Sequence, residues 1–103
     1  MNDFHLTPNF KLSEFMNLND EIGPEALFNL KLLANRLQAI RDLTGRPITI
    51  NSGFRTPEHN KRVGGTQFSK HLTGEAADIN IQGLTPEQEQ ELLKNWKIGR
   101  AHV

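Results

Sequence analysis

His71 and Asp78 stand seven positions apart in the run Ser69-Lys70-His71-Leu72-Thr73-Gly74-Glu75-Ala76-Ala77-Asp78. An imidazole and a carboxylate are side chains of the kind zinc accepts as ligands. A glycine and two alanines lie among the residues between them, and Gly74 with Ala76 gives the backbone freedom to turn the histidine back toward the aspartate. Ser69, two positions before His71, carries a hydroxyl that could support the site or a substrate. One such pair is a weak sign by itself, because a loop histidine is more often solvated or hydrogen-bonded than metal-bound. The upstream run Ser52-Gly53-Phe54-Arg55-Thr56-Pro57-Glu58-His59-Asn60 adds a second cluster of polar residues and a guanidinium.

The chain that must position these residues has 103 of them, enough for one domain with a modest core. Twelve basic and twelve acidic side chains cancel. No long-range field then favours nucleic acid or an anionic membrane surface. Cysteine is absent, which excludes disulfides, thiolate metal sites and cysteine nucleophiles. No stretch approaches the roughly 18 apolar residues that span a bilayer, so no membrane insertion is expected. Met1-Asn2-Asp3-Phe4-His5 has neither a basic nor an apolar segment, so no signal peptide is expected and export needs another route.

Residues 4–20 read as an extended lead-in and a short helix, with Ser13-Glu14-Phe15 at the helix start and Phe10, Leu12 and Phe15 as anchors. Gly23-Pro24-Glu25 opens the main helix, expected over 24–44. Leu27, Leu30, Leu33, Leu37 and Ile40 recur at steps of three and four and form its apolar stripe. Gly45 and Pro47 end it. Ile48–Asn51 reads as a strand. Residues 52–75, rich in Gly, Ser, Thr, Asn and Pro, read as a loop, and a loop of that length is usually functional.

In the strand expected over 76–81, Ala77, Ile79 and Ile81 share one face. Ala76, Asp78 and Asn80 share the other, so Asp78 projects away from the core. Thr85-Pro86-Glu87-Gln88 starts a helix over 86–96, with Leu92, Leu93 and Trp96 on its buried side. The expected fold is α+β: a small antiparallel sheet packed on one long helix, with a second short helix.

The pattern Ser-x-His-x-x-Gly-x-Ala-x-Asp, preceded by Ser-Gly-Phe-Arg-Thr-Pro-Glu-His-Asn, resembles the D-alanyl-D-alanine metallopeptidases. It is closest to their short carboxypeptidase-like domains in bacteria and tailed phages. The likeness extends to the opening Asn9-Phe10-x-Leu12-Ser13-Glu14-Phe15 and the Leu-rich helix. It implies that His71 and Asp78 are two of three zinc ligands, with an open position for water. Zinc, or a related divalent ion, would acidify that water and polarise a scissile carbonyl. Arg55 would hold a substrate carboxylate or carbonyl by paired hydrogen bonds, and Ser69 would be a supporting contact. His59 reads as structural or exposed, and His5 is given no role.

The resemblance also demands a later histidine as third ligand and an acid near it as general base. His102 is the only candidate for the histidine, and no acid accompanies it. Ile98-Gly99-Arg100-Ala101-His102-Val103 is what ATC GGA AGA GCA CAC GTC encodes, a string resembling a common short-read sequencing adapter. Residues 97–103 are therefore expected to be a non-native tail on an incomplete domain, 1–96, with the last sheet strand missing and its edge exposed.

The implied activity is a zinc peptidase acting on peptidoglycan stem peptides or cross-bridges. It would work as a monomer, released phage-fashion as an endolysin or exported otherwise. The alternative is a non-catalytic module that binds cell-wall peptide on the same scaffold.

Overall fold

The computed structural model describes residues 1–96 and 100–102, with side chains described through Lys94. Its centre is helix α2, Pro24–Thr44, for which α1 is the short turn Leu12–Phe15 before it. Pro24 at the first position pre-sets the helical φ, and Gly45 closes the other end at φ 65, donating its N–H to the Arg41 carbonyl. Leu30, Leu33, Leu37 and Ile40 of the expected stripe are buried, Leu27 partly so, and Ala34 joins them.

This face packs on a sheet of β3 (Ile48–Ser52), β4 (Ala76–Ile81) and β5 (Arg100–His102), in the order β3-β4-β5. Ala77, Ile79 and Ile81 face the helix, each 2% exposed or less, while Asn80 is exposed on the opposite side. The β3–β4 pair is antiparallel, and its register shifts between Ile50 and Ser52 so that Ser52 lies opposite Asp78. That irregularity turns β3 into the segment that carries Arg55.

The α+β class stands, with three differences from expectation. The lead-in folds as an antiparallel ribbon, β1 (His5–Thr7) on β2 (Phe10–Lys11), too short to carry a period in sequence. Residues 52–75 contain helix α3 (Pro57–Arg62) and a 3₁₀ turn (Lys70–Thr73). Thr56 caps α3 by accepting from His59 N, and Pro57 sits at its first position. Those are start signals that the loop-rich composition hides. The third strand, expected to be missing, is present and pairs with β4 in parallel, so the sheet is mixed. The free edge of β4 bonds through main-chain groups that any extended segment offers, and helix α4 (Pro86–Trp96) returns the chain to it.

Helix α4 starts as expected: Thr85 N donates to Gln88 Oε1 at 2.9 Å and Gln88 N to Thr85 Oγ1 at 3.2 Å. Leu93 is buried and Leu92 partly buried, while the Trp96 side chain lies outside the described residues.

Two buried polar residues lock the layers. Gln38 on α2 accepts from Thr7 Oγ1 and Asn9 N, tying on the ribbon. Glu89 on α4 is 2% exposed and accepts from Ile81 N at 2.5 Å. Replacing Glu89 with alanine orphans that N–H and is expected to destabilise the domain by about 1–3 kcal/mol. Glu89→Gln, which keeps an acceptor, should cost less. Urea denaturation of the two variants measures the difference.

Candidate metal and substrate site

The 3₁₀ turn presents His71. Ser69 is its N-cap, with Oγ accepting from His71 N at 3.2 Å. Gly74 ends the turn at φ 75, and a Cβ there would lie 2.5 Å from the carbonyl of Ala26 on α2. A larger residue fails on both counts, so the glycine lets the turn press against the helix. Asn29 Nδ2 of α2 donates to the Thr73 carbonyl at 3.0 Å and holds it there. Two residues beyond Gly74 the chain enters β4, which brings Asp78 round to face His71.

Both ends of His71 are fastened to the segment leaving β3. Its carbonyl accepts from Arg55 N at 3.0 Å, and its ring Nδ1 lies 2.6 Å from the Gly53 carbonyl oxygen. A carbonyl can only accept, so Nδ1 carries the proton and Nε2 is the nitrogen turned to the aspartate. Nε2 lies 3.7 Å from Asp78 Oδ2. The imidazole is buried, whereas the Asp78 side chain is 37% exposed.

Arg55 closes the other side of Asp78. Its Nη2 lies 3.6 Å from the same Oδ2, Nε donates to Ser52 Oγ at 3.3 Å, and Nη1 donates to Asn60 Oδ1 at 3.4 Å. Five guanidinium N–H groups against three protein partners leave donors for a ligand.

This donor set fits two positions of a zinc site. Two ligands at ordinary Zn–N and Zn–O lengths on a tetrahedral ion stand about 3.4 Å apart, close to the 3.7 Å between Nε2 and Oδ2. The ring's second nitrogen bonded to a main-chain carbonyl is the usual outer-shell support for a metal-bound histidine. Among the described residues, no third His, Cys, Asp or Glu joins the pair. His102 pairs with Asp78 in the β4–β5 register, but its side chain lies outside the described residues.

His59 is half-buried on α3, and His5 is exposed in β1. Neither forms part of the His71–Asp78 pair. A groove of about 690 Å³ runs beside α1 and β3, with His59 and Arg62 among its walls. Its walls include Ser52, Gly53 and Phe54, which lead to Arg55, but His71, Asp78, Arg55 and Ser69 do not line it.

Sequence reasoning named His71, Asp78, Arg55 and Ser69, and the structure brings all four into one cluster. It missed the Gly53 carbonyl and the Asn60 amide. A main-chain acceptor leaves no mark in sequence, and Asn60 stood in the recognised run without an assigned task.

The cluster is a His–Asp pair beside an arginine on a small α+β domain. The profile of the Peptidase M15 family matches residues 8–101, nearly the whole chain, and the chain belongs to that family. It is similar to the zinc D-Ala-D-Ala carboxypeptidase of Streptomyces albus G, with 49% identity over 45 residues. That stretch covers 43% of this chain and 18% of the relative's length, so the match spans less than a fifth of that protein.

Two outcomes test the geometry. Nitrogen NMR of metal-free protein at neutral pH should find the His71 ring protonated at Nδ1. Gly53→Ala drives a Cβ into the Phe15 carbonyl; it should destabilise the fold by about 1–3 kcal/mol and disturb the His71 ring resonances.

Proposed function

We propose that this chain is the zinc-binding domain of a peptidase that cleaves peptidoglycan stem peptides or cross-bridges, with D-Ala-D-Ala-like ends as substrates. The observation that carries the reading is the facing of His71 Nε2 and Asp78 Oδ2 at 3.7 Å within a Peptidase M15 domain. The name of the Streptomyces albus G relative supports zinc and the D-Ala-D-Ala end.

In this reading His71 and Asp78 hold the ion. When bound, zinc supplies a Lewis acid and lowers the pKa of a water in its open position. Gly53 fixes the His71 tautomer, and Ser69 fixes the turn that bears it. Arg55, braced by Ser52 and Asn60, offers its remaining N–H groups to a substrate carboxylate or carbonyl.

The third ligand belongs to the strand position beside Asp78, occupied here by His102. The adapter-like run Ile98–Val103 makes residues 97–103 a candidate foreign tail, whereas the family match through residue 101 counts for native sequence there. A long read of the parent DNA across the Trp96 codon decides between a foreign tail and a native His102. The setting is a phage endolysin or a bacterial wall-remodelling enzyme. Among the described residues no helix is long and apolar enough to cross a membrane.

A second reading on the same scaffold is a module that binds wall peptide through Arg55 without turnover, in keeping with the lack of an acid beside His102 in the sequence. Incubating the parent protein and zinc with a stem pentapeptide ending in D-Ala-D-Ala separates the two. Release of D-alanine that a chelator stops is expected. His71→Ala and Asp78→Ala should each lower it by more than about 100-fold, beyond what supporting contacts cost. Turnover indifferent to chelator would contradict the zinc dependence of this reading, and peptide binding without cleavage would select the module.

A further inference from the structure

We propose that Asn60 is a positioning residue: its buried amide sets the Arg55 guanidinium and links it to the turn that carries His71. This rests on the reading of Arg55 and His71 as substrate and metal residues. The linkage itself is a property of the fold and can be tested without that reading.

Asn60 is 3% exposed on α3, and both ends of its amide are used. Oδ1 accepts from Arg55 Nη1, while Nδ2 donates to the Thr66 carbonyl at 2.7 Å. The same carbonyl accepts from Ser69 N at 3.1 Å, and Ser69 Oγ accepts from His71 N. A continuous path thus runs from Arg55 through Asn60, Thr66 and Ser69 to His71.

The amide orientation is forced, because a guanidinium needs an acceptor and a carbonyl needs a donor. Aspartate has the shape but lacks the donor toward Thr66. Alanine lacks both ends, and glutamine is a methylene too long for a buried slot. The loop also closes tightly on this side chain. Gly65 N donates to the Asn60 carbonyl at 2.8 Å, and a Cβ at Gly65 would overlap Oδ1. Asn60 therefore fixes how far the guanidinium stands from the imidazole, a separation that a substrate bridging the two must match.

The test is Asn60→Asp, with Gly65→Ala as a second variant that keeps the amide but displaces it. Thermal melting first identifies which variants fold. Amide hydrogen exchange at Ser69 and the Arg55 Nε–H resonance then report the linkage, with a metal-competition assay for zinc and peptide kinetics beside them. We expect roughly tenfold faster exchange at Ser69, a shifted Arg55 resonance and roughly tenfold weaker zinc binding, as for other supporting contacts. KM should rise about tenfold with kcat changing much less.

A folded variant with wild-type exchange at Ser69 and an unmoved Arg55 resonance overturns the proposal. Altered exchange and resonance in a protein that cleaves no peptide would leave the linkage standing and remove the peptidase reading instead.

Discussion

The hydrogen bond from His71 Nδ1 to the Gly53 carbonyl joins the two halves of the site, and most of the local structure serves to make it possible. It requires the chain leaving β3 to pass directly beneath the 3₁₀ turn, and the Arg55 N–H bond to the His71 carbonyl holds that passage from the other side. Gly53 must be glycine because Phe15 of α1 leaves no room for a Cβ. Gly74 must be glycine because the turn sits on the Ala26 carbonyl of α2. A histidine fixed at both main-chain and ring positions loses little further conformational entropy when it takes a ligand.

The electrostatics follow from this placement. Asp78 projects from the central strand of the sheet, and its Oδ2 is met by an imidazole on one side and a guanidinium on the other. A carboxylate between two such groups can hold a cation with the first and an anionic ligand's partner with the second. The ion and a substrate carboxylate would thus be addressed by neighbouring groups within one small volume, as expected where binding and bond polarisation must occur together.

Much of the scaffold was legible in the sequence because its signals are local. Helix α2 runs over the expected 24–44 span because Pro24 and Gly45 act at single positions, and Gly45 adopts the left-handed φ that ends the helix. The inward face of β4 followed from strict alternation, and α4 from its reciprocal cap. The ribbon of β1 and β2 was not legible, since strands of three and two residues carry no period. Gln38 and Glu89 were missed for another reason. Their partners are distant main-chain and side-chain atoms, and only the folded chain brings these together. The site divides the same way: spacing gave only a weak sign of His71 and Asp78, the family resemblance strengthened it and added Arg55, and the Gly53 carbonyl and Asn60 required coordinates.

The central claim is that His71 and Asp78 are ligands of one metal ion. Anomalous diffraction at the zinc edge, from crystals of the protein grown with zinc, tests it most directly. The account predicts a peak about 2 Å from both His71 Nε2 and Asp78 Oδ2. A zinc peak elsewhere, with Arg55 still paired to Asp78 and nothing between the two side chains, would contradict it.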